Sequence, residues 1–458
     1  MRTVNPYIRE LMTKVDTAWW RMDSNDNLMV INGLLFFDEP MPRETFKELL
    51  EQRLVAKHSR FRQRPCSQHG IYYWEEVPEL DMDYHLTDLP LTLAPDADPE
   101  AALRSAVSQL VLLPLDPERP LWRFYFLPHY QNGSAVLVRI HHSYADGIAL
   151  ISVLDAIADH SVLQTSPAAR FKWPVRKPRS DALLHKLSFW LGSGVFYTGF
   201  AGAWLFEAMR VILCRPDTKT VYKRDLSPQK QVGWAPSLPV REVKQVGKAL
   251  GCTLNDVILG CVAGSLRRYL ERIGEPVAGV HVRATVPVNL RPLEQGLELG
   301  NRFGLVYLEL PVGEPTVKRR IEAVRRNMKK LRSGVQAQMS YNVLAILGYF
   351  PLALQSWAMR FFSSKASAVI TNVPGPTQPV VLMGRTLSKP MFWVPQSGGI
   401  GIGVSILTYN NKVEFGFVAD AALVPDPKAM IDDYMAEFRA IQAEVMATTT
   451  PSAVLTEA

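Results

Sequence analysis

The sequence predicts an α/β (α+β) protein built as two domains, 1–164 and 221–458, joined by a crossover at 165–220. Three observations carry that expectation. The chain has 458 residues, long for one core and comfortable for two. Hydrophobic residues make up 47% and charged residues 21%, a globular balance with enough apolar material for both cores. Between the halves, Pro167, Pro174 and Pro178 alternate with Arg170, Lys172, Arg176, Lys177 and Arg179, a composition that resists regular structure.

In the first half, 28–37 reads as a buried strand, and 42–58 as a helix with Phe46, Leu49, Leu50 and Leu54 at helical spacing. A strand over 135–140 runs into a histidine pair, and a helix follows at 148–158. The tract 187–206 carries no charge and is about as long as a bilayer is thick. It fits a transmembrane helix, an in-plane helix resting on a membrane with Lys186 before it and Arg210 and Arg215 after, or a buried helical hairpin. In the second half, 253–270 reads as an amphipathic helix starting near Thr253, and 282–288 and 305–310 read as strands. The strongly basic 317–332 is a helix whose default is a solvated face, with a membrane-facing or cofactor-facing role as the alternative. An apolar helix over 340–362 is interrupted by Pro351, and strands at 400–407 and 412–417 pair through an Asn410-Asn411 turn.

The formal net charge of +7 suits an anionic ligand or membrane surface. Nucleic acid is not expected, because the basic residues are scattered and no recognition module appears. Cys66, Cys214, Cys252 and Cys261 form no CxxC pair and are read as reduced thiols. Residues 1–16 carry charges throughout, so no secretory signal is expected.

The chemistry concentrates in His141-His142-Ser-Tyr-Ala-Asp146-Gly147. Strand alternation points the two histidines in opposite directions, so one can face a channel while the other packs. A histidine with an ordinary pKa of about 6.5 can take a proton from an alcohol attacking an acyl carbonyl. No GxSxG elbow supports a serine nucleophile. Asp146 can hold the loop by capping or by an ion pair, and Gly147 suits the backbone of a tight corner. Diverging histidines without HExxH or a Cys/His framework do not suggest a metal. His58, His69, His85, His129, His160, His185 and His281 are read as packing or hydrogen-bonding residues.

The pattern HHxxxDG resembles the signature of acyltransferases with the chloramphenicol-acetyltransferase-like fold. The surrounding blocks resemble one branch, the bacterial wax ester synthase/diacylglycerol acyltransferase family. They are VDTAWWRM at 15–22, PLDPERPLW at 114–122, LNDV at 254–257, VPVNLR at 286–291, GNRFG at 300–304 and TNVPGP at 371–376, in the family's order from about 15 to 424. The resemblance implies a pseudodimer of two such domains with a channel at their interface. It implies acyl-CoA as co-substrate, no other cofactor, and a fatty alcohol or diacylglycerol as acceptor. Among the residues it implies His142 as general base, with His141 in support. Asp146 becomes a structural residue with Arg291 as its ion-pair partner. Asn255 is either an oxyanion donor or, with Asp256, a helix cap. Pro120, Leu121 and Trp122 would shape the channel wall, and 372–376 would form a tight architectural turn at Asn372. The apolar tracts suit a cytoplasmic protein on the inner face of the membrane or on lipid droplets. Two other functions compete: a lipid carrier without turnover, which has no need of a base, and an acyltransferase for another alcohol or an amine.

Overall fold

The computed structural model describes residues 9–24, 27–91, 98–147, 149–163, 165–166, 213–214, 216–291, 300–331 and 336–449. The 187–206 tract and most of the 165–179 crossover lie outside the described residues.

Two large sheets organise the chain. The first has six strands in the order Val380–Leu382, Arg385–Trp393, Val30–Phe37, Gly133–His141, Trp122–Tyr130 and Leu86–Asp88. Its centre is the antiparallel pair Val30–Phe37 and Gly133–His141, in which Val30 faces His141 and Phe37 faces Ser134. Gly133–His141 is buried nearly throughout, and its 135–138 stretch is a continuous apolar run rather than an alternation. The second sheet has seven strands. Its main path runs Phe303–Leu310, Val282–Asn289, Ala368–Pro374, Ile402–Tyr409, Lys412–Asp420 and Lys230–Trp234, and Leu238–Pro239 pairs with Lys412–Asp420. It mixes parallel pairs with antiparallel ones. The sheets do not follow the division of the sequence at 221, because Val380–Leu382 and Arg385–Trp393 complete the six-stranded sheet. Arg385–Trp393 pairs antiparallel with Val30–Phe37, where its unpaired edge finds backbone partners.

Local sequence explains several elements. Asn410 and Asn411 have φ of 45° and 56°, the left-handed backbone that a two-residue hairpin needs and that asparagine tolerates. Thr253 caps the helix Leu254–Arg272, and the Asp256 carboxylate accepts the Thr253 amide in return. This helix packs closely: a Cβ at Gly260 would lie 2.4 Å from Ile321 Cγ1. The apolar 340–362 segment forms two helices, Gln336–Leu347 and Leu352–Ser363, broken at Gly348–Pro351. Proline ends the first, and a Cβ at Gly348 would collide with the Lys14 carbonyl at 2.1 Å. Among the described residues no single helix is long and apolar enough to cross a membrane.

One core cluster bridges the sheets, with Leu34, Leu137 and Trp393 from one side and Val232, Trp234 and Val418 from the other. Trp393 Nε1 donates to the Gly233 carbonyl at 3.2 Å, and the Trp234 and Trp393 rings lie 5.9 Å apart. Trp393→Ala should therefore cost about 3–5 kcal/mol, read as a lower urea midpoint.

Candidate active site

The strand Gly133–His141 ends where the His141 amide donates to the Leu121 carbonyl at 3.0 Å. The His142 amide then donates to the Met29 carbonyl at 2.7 Å, which locks both histidines to the sheet's end. Their side chains diverge. His141 Nδ1 accepts the Ser143 amide at 3.1 Å and lies 2.7 Å from Ser143 Oγ. Its Nε2 faces the Asp23 carboxylate at 3.3 Å, and its ring meets the edge of Trp20. His142 turns the other way. Its ring stacks on Trp19 with centroids 4.2 Å apart and 18° between planes, and Phe303 lies 5.6 Å away.

The loop after His142 is held by the second half of the chain. Arg291 Nη1 donates to both Asp146 oxygens at 2.7 Å, and both side chains are 6% exposed. The Arg302 amide adds a bond to Asp146 Oδ2 at 3.1 Å, and Arg291 Nη2 donates to the Gly300 carbonyl. Beside this pair, Asn301 Nδ2 donates to the His142 carbonyl at 2.7 Å and to Asp16 Oδ1 at 2.9 Å. Burial pushes the Asp16 carboxyl above its usual range, and its bonds from Asn301 and Thr13 oppose the shift. Sequence reasoning marked the blocks 15–22 and 300–304 without assigning Asp16, Trp19, Asn301 or Phe303. The available signal was an acid set among apolar residues in a tryptophan-rich helix, Lys14–Arg21.

His142 opens onto a cavity of ≈ 290 Å³ between the two halves. Asp146, Gly147, Asn255, Thr371 and Asn372 also line it, and Val286, Val288, Leu305 and Met328 form apolar walls. Asn255 and Asp256 separate in role. Asp256 belongs to the helix cap, whereas Asn255 Oδ1 accepts a bond of 2.6 Å from Asn372 Nδ2 at the cavity. That bond occupies the oxygen of the Asn255 amide and leaves its NH₂ as the donor end.

Three sequence expectations are corrected. Asn372 sits in the strand Ala368–Pro374, opposite Ile406, rather than in a turn, because that segment pairs in parallel with Ile402–Tyr409. Leu121 and Trp122 do not wall this cavity. They are fully buried in the core behind the His loop, where Trp122 Nε1 donates to the Phe61 carbonyl and stacks on His85, and Pro120 lines a separate surface cleft. Gly147 is not in the left-handed region; its constraint is close approach, since a Cβ there would lie 3.2 Å from Val373 Cγ2.

Burial lowers the His142 imidazole from 6.5 to about 4, with the Asp146 carboxylate as the largest opposing influence. At neutral pH the ring is therefore uncharged and able to accept a proton. His85 is lowered to about 4 by the same cause and bonds the Trp122 carbonyl at 2.7 Å, a packing role. Among the described residues no group of three or more His, Cys, Asp or Glu is placed to hold a metal ion.

A histidine-ended strand facing a cavity between two sheet domains is the arrangement of the chloramphenicol-acetyltransferase-like acyltransferases. Comparison with solved structures gives the same fold. The chain matches the wax ester synthase/diacylglycerol acyltransferase from Marinobacter aquaeolei VT8 with a TM-score of 0.69 at 18% identity, over 95% of this chain and 99% of that one. It matches the first condensation domain of the calcium-dependent antibiotic synthetase with a TM-score of 0.59 at 14% identity, over 96% of each chain. The family model "wax ester synthase/diacylglycerol acyltransferase catalytic domain" matches residues 12–258, and the C-terminal domain model of that family matches 299–442. The chain thus belongs to the wax ester synthase/diacylglycerol acyltransferase family. A probable diacylglycerol O-acyltransferase of Mycobacterium tuberculosis H37Rv is 26% identical over 94% of this chain and 96% of its own length. A second, putative one from the same strain is 27% identical over 91% and 92%.

Asp146→Ala would strand a buried arginine and release the Arg302 amide. It should cost about 3–5 kcal/mol, measured by chemical unfolding. Replacing both partners, as Asp146→Leu with Arg291→Met, should recover part of that loss.

Proposed function

We propose that this protein esterifies a long-chain alcohol or diacylglycerol with the acyl group of acyl-CoA, forming wax esters or triacylglycerol, with His142 as general base. The observation that carries the proposal is a buried, uncharged imidazole at the wall of an otherwise mainly apolar cavity. The names of the mycobacterial relatives support diacylglycerol as one acceptor.

His142 takes the proton of the acceptor hydroxyl as its oxygen attacks the thioester carbonyl carbon. The carbonyl oxygen becomes an oxyanion, for which the Asn255 amide is the donor within the cavity. Collapse of the tetrahedral species breaks the C–S bond. The departing thiolate receives the proton from the His142 imidazolium, so ester and free CoA leave and the base is restored. No protein nucleophile and no covalent acyl-enzyme enter the cycle. The Asp146 carboxylate opposes the effect of burial on His142 and so favours the imidazolium formed on the way. His141, engaged by Ser143 and facing Asp23, supports the loop. We place the reaction on the cytoplasmic face of the membrane or on lipid droplets, where both substrates are at hand.

The test is release of CoA from palmitoyl-CoA with hexadecanol or dioleoylglycerol, with the ester identified by mass spectrometry. His142→Ala should lower kcat on the order of 10²–10⁴-fold; unchanged turnover would sink the assignment. Because the folded imidazole has a pKa of about 4, the base is already free at neutral pH. The acid limb of kcat/KM should therefore fall near that value, leaving a plateau from about pH 5 to 8. Asn255→Ala should reduce kcat by about 10²–10³-fold with little change in acyl-CoA KM. A loss confined to KM would return Asn255 to a purely structural role.

A further inference from the structure

The two helices Gln336–Leu347 and Leu352–Ser363 present an apolar surface that the catalytic cavity does not use. Residues 336–359 contain no charged side chain, and 336–365 contain no acidic one. At the bend between the helices, Tyr349 is 72% exposed, Leu352 54% and Trp357 58%, with Ile346, Phe350 and Leu354 also exposed. Single exposed apolar residues are ordinary, but a contiguous group of this size marks an interaction site.

The inner faces of the same helices wall a narrow apolar cleft of ≈ 90 Å³, through Met339, Val343 and Phe362. The cleft shares Trp19, Phe303 and Leu305 with the cavity that holds His142. Trp19 is the ring stacked on that histidine. The cleft beneath the bend and the cavity of His142 therefore adjoin at these three side chains.

Basic side chains rim the bend. Lys14 Nζ sits 4.7 Å over the Tyr349 ring, Arg21 Nη2 donates to the Phe350 carbonyl at 2.9 Å, and Arg360 is exposed one turn beyond Trp357. This charge pattern selects the occupant. A second copy docking face to face would bring Lys14, Arg21 and Arg360 against themselves, which like-charge repulsion disfavours. An anionic phospholipid surface satisfies both the apolar tip and its cationic rim.

The geometry points to the 346–357 bend as the element that inserts into an anionic lipid surface, with the cleft beneath it as the acceptor's lateral entrance to His142. The direction of substrate entry rests on the acyltransfer reading above; the docking surface does not.

Flotation of the full-length protein with vesicles separates the two. Wild type should float with phosphatidylcholine–phosphatidylglycerol vesicles and less with phosphatidylcholine alone. Leu352→Asp with Trp357→Asp, both at exposed positions, should abolish flotation without shifting the melting temperature. The same variant should lower the rate on hexadecanol held in vesicles by at least about tenfold, while leaving the rate on soluble hexanol unchanged. Arg360→Glu should weaken flotation on anionic vesicles specifically. Val343→Trp, which fills the cleft, should raise the KM for hexadecanol but not for acyl-CoA, with flotation intact. Persistent flotation of the double aspartate variant, equal flotation of wild type on both vesicles, or a dimer in light scattering that this variant splits would overturn the docking surface. An unchanged hexadecanol KM in Val343→Trp would overturn the entrance. Flotation by a wild type that releases no CoA with any alcohol would leave the surface standing and sink the acyltransfer reading instead.

Discussion

Arg291 and Asp146 meet across the two halves of the chain, and the geometry around His142 depends on that contact. Both groups are almost fully withdrawn from water, so neither is tolerable without the other. Arg291 follows the strand Val282–Asn289 of one sheet, whereas Asp146 follows the strand Gly133–His141 of the other. The pair thus fixes where the ends of two sheets stand relative to each other. Asn301 repeats the connection one step away, tying the His142 carbonyl to Asp16. The loop bearing His142 is held by its backbone and by Asp146. Stacking on Trp19 then sets the plane of the ring.

That arrangement has an electrostatic consequence. A carboxylate bonded directly to the imidazole would raise its pKa and keep more of it protonated near neutrality. Here the carboxylate is spent on Arg291, and burial dominates, so the ring stays neutral. A neutral ring is ready to receive a proton, but burial also makes the imidazolium costly. The distance between these demands is narrowed by the remaining influence of Asp146. One side chain thereby holds the loop and moderates the cost of charging His142.

Much of this could be read from the sequence where the signal is local. Thr253 and Asp256 announce a helix start by their spacing, Asn410-Asn411 announces a hairpin by its conformational tolerance, and the run 135–140 announces a buried strand by composition. What could not be read is long-range. Nothing near Arg385–Trp393 states that it will pair with Val30–Phe37, since antiparallel register is decided by two edges far apart in the chain. The same applies to Asn372, whose TNVPGP context suggests a turn while parallel pairing makes it a strand residue that reaches Asn255. Trp122 misled for another reason. A large aromatic near the histidine pair fits a channel wall or a core equally well, and only the bond of its Nε1 to Phe61 distinguishes them.

The distribution of polarity around the cavity bears on which kind of function it suits. Polar side chains, among them His142, Asn255, Asn372 and Thr371, share the lining with Val286, Val288, Leu305 and Met328, and the apolar surface predominates. A site that merely held a lipid would gain from apolar walls throughout, at about 0.8 kcal/mol for each methylene removed from water. Buried polar groups subtract from that gain unless something pairs with them. The Asn255–Asn372 bond satisfies the oxygen of the half-buried Asn255 amide. The His142 Nδ1 is buried without a hydrogen bond among the described residues. Retaining such a group among apolar walls makes physical sense where charge develops and a proton moves. It makes little sense in a carrier, whose walls would bind more tightly with leucine in its place.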